Sequence, residues 1–111
     1  MLILAAHMLG DFLLQTDWMA DNKKCDLLAL SVHVTIYTFC QAIAFHFMAF
    51  NNPDMRSFAI PAMSLIWLSH FVVDTVDFQK GHKWAQRGFW LDQSWHILTL
   101  VVIYYLAGAI F

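Results

Sequence analysis

Charge is scarce in this sequence and glutamate is missing altogether: all eight acidic residues are aspartate, and 13% of the 111 positions are charged against 60% hydrophobic. A soluble domain carries about 25% charged and 45 to 50% apolar residues, so a lipid solvent is the simplest expectation for most of this chain. Cysteine is nearly absent too. Cys25 and Cys40 supply neither a disulfide framework nor a C-x-x-C zinc signature. The six cations, Lys23, Lys24, Arg56, Lys80, Lys83 and Arg87, are scattered and make no basic patch, which excludes nucleic acid as an expected partner. The first twenty residues lack the basic leader and cleavage-like end of a signal peptide and carry His7, Asp11 and Gln15, so they read as a retained span.

What is present is four apolar stretches, roughly 1-20, 27-50, 57-77 and 89-111, each near the length of about 20 residues that a helix needs to cross hydrocarbon. Polar connectors separate them: D-N-K-K-C-D at 21-26, N-N-P-D-M-R at 51-56 and F-Q-K-G-H-K-W-A-Q-R-G at 78-88. Short connectors make neighbouring helices antiparallel, and Pro61 falls in the first turns of the third stretch, where its missing N–H costs little. The expected fold is all-α, a single four-helix transmembrane bundle with the lipid bilayer as its surroundings. A soluble helical bundle is the competing expectation, but no stretch has a continuous charged outer face.

All six cations lie between the apolar runs. The first and third connectors hold five of them, so the positive-inside rule places those connectors in the cytoplasm and both termini outside it. Trp18, Trp84 and Trp90 lie at span ends on that same side, as interfacial aromatics do.

The chemistry is expected inside the apolar runs. Stretch one contains His7-x3-Asp11, stretch three His70-x3-Asp74 and stretch four Asp92-x3-His96, and a four-residue step puts both members of a pair on one helical face. His33 adds the second stretch. Histidine and aspartate are costly to bury in lipid and are good ligands for borderline divalent ions. His7, Asp11 and His33 also recur, displaced by 63 residues, as His70, Asp74 and His96. Two parallel-repeat hairpins related by a pseudo-twofold along the membrane normal follow from that spacing. Each offers His, Asp and His, an N/N/O set with room for water or substrate, and two facing half-sites can hold a pair of ions.

On this reading the metal ligands are His7, Asp11, His33, His70, Asp74, Asp92 and His96; the ion is zinc, with manganese or iron as alternatives; and Asp92 or Asp74 handles the proton. At about 1.5 Å per residue, His33, His70 and His96 lie roughly 9 to 12 Å from the cytoplasmic ends of their stretches, but His7 lies about 20 Å in, so the first helix must reach less far or tilt. Gln15 and Tyr37 are candidates to orient ligands from behind, and Gln41 a member of a polar helix seam. The competing explanation for the whole cluster is helix packing, with buried His and Asp bonding across helices in lipid. His46 faces away near the opposite end, His82 falls in a connector, and Asp17, Asp21, Asp26, Asp54 and Asp77 sit at stretch ends where hydration is the default.

The segments H-M-L-G-D-F-L-L-Q-T-D-W (His7 to Trp18), H-F-V-V-D (His70 to Asp74) and L-D-Q-S-W-H (Leu91 to His96) together resemble the small membrane family catalogued as domain of unknown function 3307. The resemblance covers nearly the whole chain. It implies a bacterial or phage inner-membrane protein, distantly similar to membrane-bound metal-dependent hydrolases and more remotely to zinc-dependent phospholipase C and single-strand nucleases. Those enzymes carry H-x3-D or H-x3-E pairs on helices, matched here by His7 with Asp11, His70 with Asp74 and, reversed, Asp92 with His96. They also begin with an N-terminal Trp ligand that this sequence lacks. The expected activity is hydrolysis of a phosphate ester, of a lipid in one version, by a metal-dependent membrane enzyme that works as a homo-oligomer or in a larger complex. An ion or metal carrier and a structural or regulatory membrane protein are the alternatives. A carrier needs polar residues through the full depth, whereas here they concentrate in one half.

Overall fold

The structure is a computed structural model that describes residues 1-76 and 85-108, and of Ala85, Gln86 and Arg87 the backbone alone. The expectations placed on Asp77, Lys80, His82, Lys83, Trp84 and the side chain of Arg87 lie outside the described residues. The described chain is all helical: α1 (Leu2–Met8) running directly into a π-helical turn (Leu9–Leu13), α2 (Asp17–Asn22), α3 (Leu27–Ala49), α4 (Pro53–Ser57), α5 (Ala59–Thr75) and α6 (Ala85–Leu106).

Helix boundaries follow from capping chemistry. The Thr16 hydroxyl accepts the Met19 N–H at the start of α2, the Asp26 carboxylate accepts the Leu28 N–H at the start of α3, and Asn52 accepts the Met55 N–H with Pro53 in the first turn of α4. The stretch at 1-20 is therefore not one helix. Its helical run stops at Leu13, Thr16 is extended, and a separate short helix follows. This removes the depth mismatch of His7, which stands six residues, about 9 Å, from the end of its own helical run.

Among the described residues one helix, Leu27–Ala49, is long and apolar enough to cross a membrane by length and composition; the apolar runs Leu2–Leu13 and Ala59–Thr75 are shorter. Four full spans, as expected from the sequence, are thus more than helix length alone supports.

α3 is the central element. It packs against α1, the π turn, α2, α4 and α5, while α6 packs against α5. Contacts such as Ile3 with Gln41, Asp11 with His33 and Thr35 with Trp67 show that successive long helices run antiparallel. Gly10 sets the approach of the first hairpin: a Cβ there would lie 2.9 Å from the Tyr37 Cα and 3.0 Å from its ring, so any larger residue pushes the π turn off α3.

The interior is divided in two. Phe45, Met55, Ala62, Ile66, Leu100 and Ile103 form an apolar core in the half that holds the α3–α4 connection. Next to it, the Tyr104 hydroxyl donates to the carbonyl oxygens of the Gln41 backbone and side chain, and the Gln41 amide donates to Ile3 O. The other half, toward Lys23 and Lys24, buries His7, Asp11, His33, His70, Asp74, Gln93 and His96. The outside is the reverse of this interior: Leu13, Leu27, Leu28, Phe39, Phe47, Phe50, Ile60 and Trp90 are all more than 60% exposed.

Candidate metal centre

Four side chains from three elements meet in the polar half. His33 Nε2 lies 3.1 Å from His70 Nε2, 3.2 Å from Asp11 Oδ1 and 3.2 Å from Asp74 Oδ2. His70 Nε2 lies 3.6 Å from Asp11 Oδ1 and 3.5 Å from Asp74 Oδ2. These are five of the six separations among the four atoms. Zinc–nitrogen and zinc–oxygen bonds of about 2.0 to 2.2 Å give a tetrahedral shell edges of roughly 3.3 to 3.6 Å, and the five separations fall close to that range.

Proton accounting points the same way. One Nε2–H on His33 can be aimed at only one of three acceptors around it, and Asp11 Oδ1 and Asp74 Oδ2 are buried with no hydrogen bond. Lys23 Nζ lies 3.3 Å from Asp74 Oδ2; without a further cation, the remaining contacts among His33, His70 and Asp11 set lone pair against lone pair, at a cost of about 1 to 3 kcal/mol for each unsatisfied group. The residues fit a metal ion: Asp11, His33 and His70 can hold one, as can His70, Asp74 and His96, and Asp11, Asp92 and His96.

The arrangement depends on the local helix form. On the regular α5, His70 and Asp74 sit one turn apart with 3.5 Å between Nε2 and Oδ2. In the first hairpin the π turn begins between His7 and Asp11, and its wider turn carries Asp11 toward His33 and away from His7. His7 is used differently. Gln93 Oε1 can only accept, so His7 donates its Nε2–H to it at 2.9 Å, and a neutral ring then takes the Tyr37 O–H at Nδ1, 2.8 Å away. The Gln93 amide donates in turn to Asp11 Oδ2 at 2.8 Å and Asp92 Oδ2 at 3.2 Å. A hydrogen-bond chain thus runs from Tyr37 through His7 and Gln93 to two carboxylates. In this geometry His7 orients Asp11 rather than facing the gap.

Metal-bound histidines usually donate their second ring N–H to an acceptor. Here the Nδ1 atoms of His33 and His70 are buried without one. Stacking holds His70 in place: the Tyr37 ring stacks on it at a centroid distance of 3.7 Å and the His96 ring at 4.1 Å.

His96 and Asp92 extend the cluster toward the surface. His96 Nε2 is 3.1 Å from Asp74 Oδ1 and 3.5 Å from Asp92 Oδ2, and the Asp92 side chain is 20% exposed. Lys23 closes the same end, its Nζ 3.3 Å from Asp74 Oδ2, and Lys24 Nζ donates to the carbonyl oxygens of Asp74 and Val76 at the end of α5.

The chain belongs to a known family. Residues 1–111 match the family described as "Protein of unknown function (DUF3307)". No curated protein and no solved structure matches the chain. The assignments within this DUF3307 chain therefore rest on its own geometry.

Of the residues singled out in the sequence, Asp11, His33, His70, Asp74, Asp92 and His96 converge, while His7 and Tyr37 stand behind them. The two half-sites interlock instead of facing each other: the cage draws Asp11 and His33 from one repeat, and His70 and Asp74 from the other. The repeat is still visible in the matching contacts Asp11–His33 at 3.2 Å and Asp74–His96 at 3.1 Å, and in the bond between Gln41 and Tyr104, which are also 63 positions apart. Gln15 is half-buried with its Oε1 unpartnered, and shows no contact with the cage. His46 is exposed and lines a groove with Arg56 at the far end, as expected. Sequence reading passed over Lys23 and Gln93. Lys23 looked like a connector cation. Gln93 had a usable signal, being an amide inside an apolar run beside Asp92.

Proposed function

We propose that this chain is a multi-pass protein of the bacterial inner membrane that uses a divalent ion, zinc by its mixed imidazole and carboxylate donors, to hydrolyse a phosphate ester at the membrane surface. The observation that carries the proposal is the cluster of His33, His70, Asp11 and Asp74, in which buried carboxylate oxygens and imidazole nitrogens crowd together with fewer protons than acceptors, at separations close to those of a metal shell.

The membrane part is supported by the reversal of inside and outside. Leucine, isoleucine and phenylalanine side chains cover the surface while imidazoles and carboxylates are buried. Soluble monomers rarely expose contiguous apolar patches larger than a few hundred Å², and intramembrane ionisable residues by default mark a functional site. α3 is about 35 Å long and spans a core of about 30 Å, and α4 with α5 covers residues 53-75 with one break at Phe58. The α1–π run of residues 2-13 is shorter, about 18 Å, and is accommodated by thinning or by its neighbours.

An ion held by His33, His70, Asp11 and Asp74 would supply Lewis acidity toward a phosphoryl oxygen and would acidify a nearby water. The residues around it divide the remaining work. Asp92, at the partly exposed rim and backed by His96, takes the proton of the attacking water. Lys23 sits where an anionic phosphate group would enter, and Gln93 with His7 holds Asp11 in position. The apolar half beyond Gln41 and Tyr104 weighs against a carrier, since among the described residues Phe45, Met55, Ile66, Leu100 and Ile103 close it.

One observation favours a second reading, a metal-stapled structural protein: the cluster offers four protein donors, the number that a structural zinc site uses. The two readings separate on one experiment. Purified protein with stoichiometric zinc or manganese is assayed on a phosphomonoester, a phosphodiester and phospholipid vesicles. Hydrolysis lost on Asp92→Asn with the ion of the inner cage retained supports the enzyme; stoichiometric metal with no turnover on any of them leaves the staple.

A further inference from the structure

Asp11 and Asp74 each turn one oxygen toward the cage and the other away from it. The outward oxygens are not idle. Asp11 Oδ2 and Asp92 Oδ2 are drawn together on the amide nitrogen of Gln93, at 2.8 and 3.2 Å, and Asp74 Oδ1 lies 3.1 Å from His96 Nε2, which in turn lies 3.5 Å from Asp92 Oδ2. Asp11, Asp92 and His96 bring ligand atoms within 4.8 Å of one another. The separations of His96 Nε2 from Asp74 Oδ1 and Asp92 Oδ2 repeat the edge lengths of the cage. We infer that a second divalent cation binds between Asp11 Oδ2, Asp74 Oδ1, Asp92 Oδ2 and His96 Nε2, so that the carboxylates of Asp11 and Asp74 bridge two ions.

The two sites differ in chemistry. The inner cage has two imidazoles and two carboxylate oxygens, is shut off from the surface, and suits zinc. The outer site has three carboxylate oxygens and one imidazole, and oxygen-rich sets suit manganese, whose larger shell leaves positions for water or an ester oxygen beside the partly exposed Asp92. Charge sets the order of filling. Asp11, Asp74 and Asp92 carry three negative charges; one divalent ion and Lys23 neutralise them, so the inner ion binds first and the outer one more weakly. This inference rests on the metal-dependent reading above and moves its reacting ion from the closed cage to the outer site.

The test uses the full-length protein in detergent with Mn2+ alone as probe. Wild type should bind two ions per chain in two separated steps and give the exchange-coupled paramagnetic spectrum of a bridged pair. His96→Ala should lose the weak step and keep one tightly held ion with an uncoupled spectrum. Asp92→Asn, altered at the rim, should do the same if His96→Ala fails to fold. Saturation at one ion per chain in wild type, or two ions with no coupling, overturns the inference. Hydrolysis by a protein holding one ion would sink the second site and leave the activity; two coupled ions without hydrolysis of any phosphate ester would do the reverse.

Discussion

Asp11→Asn should change the stability of the protein in opposite directions with and without metal. Asp11 Oδ1 and Asp74 Oδ2 are each 3.2 Å from His33 Nε2, so they are no more than twice that distance apart. At that greatest separation and an effective dielectric of about 20, two negative charges repel by at least roughly 2.6 kcal/mol. The substitution removes that repulsion and weakens the bond from Gln93 from a charge-assisted to a neutral one, a loss of about 1 kcal/mol. In chelator the variant should therefore be more stable than wild type by about 2 kcal/mol. With metal the balance changes. An ion at 100 times its Kd stabilises wild type by about 2.7 kcal/mol, and a variant without that carboxylate gains almost nothing at the same concentration. The assay is thermal unfolding in detergent with chelator and with graded zinc. If the cluster served only to bond helices together, Asp11→Asn would lower the midpoint in both conditions; a variant less stable than wild type in chelator refutes the cage.

Gly10→Ala should lower stability by about 1 to 3 kcal/mol through overpacking against Tyr37 and weaken metal binding by moving Asp11 from His33, measured by unfolding and by metal titration. Lys23→Met should tighten binding of the first ion roughly tenfold, since the Lys23 ammonium competes for Asp74 Oδ2 at 3.3 Å; an unchanged or weaker affinity in a competition titration would exclude that role. Cys25 is exposed beside Lys23 and Lys24, whereas Cys40 is buried. A membrane-impermeant maleimide should label Cys25 in lysed cells and leave it untouched in intact ones, and labelling of intact cells would invert the topology.

The pairing of His and Asp at four-residue steps was legible because a regular helix converts that spacing into a shared face, and α5 and α6 are regular there. The first helix was harder to read. A π turn between His7 and Asp11 breaks the four-residue rule, and hydropathy does not distinguish it from α-helix. The break after Leu13 did leave a mark, because Thr16 followed by Asp17 is an N-cap pattern, but it lies inside an apolar run where length dominated the reading. Lys23 was hidden for another reason: its reach to Asp74 depends on how the α2–α3 connection folds over the end of α5, a long-range contact with no periodic signature.

The displacement of 63 residues explains what the site shares between hairpins and also why its halves are unequal. Repeat-related positions carry equal chemistry at Asp11 and Asp74, each in close contact with the second histidine of its own repeat, and at this level the bundle is symmetric. The symmetry is lost one layer out. The residue equivalent to Gln93 is Leu30, and the residue equivalent to Tyr37 is Leu100, so only one histidine of the first pair finds a polar partner at both nitrogens. Removing the two polar partners of His7 tests whether that difference decides which histidine ligates. Because His7 is held neutral and turned away by Tyr37 and Gln93, a Tyr37→Phe, Gln93→Leu variant frees both of its nitrogens, and two unsatisfied polar atoms at about 1 to 3 kcal/mol each drive the ring toward the cation instead. Metal content should then survive His70→Ala in that background but fall in the wild-type background. Equal loss in both would mean that position along the helix, and not hydrogen bonding, keeps His7 out of the cage.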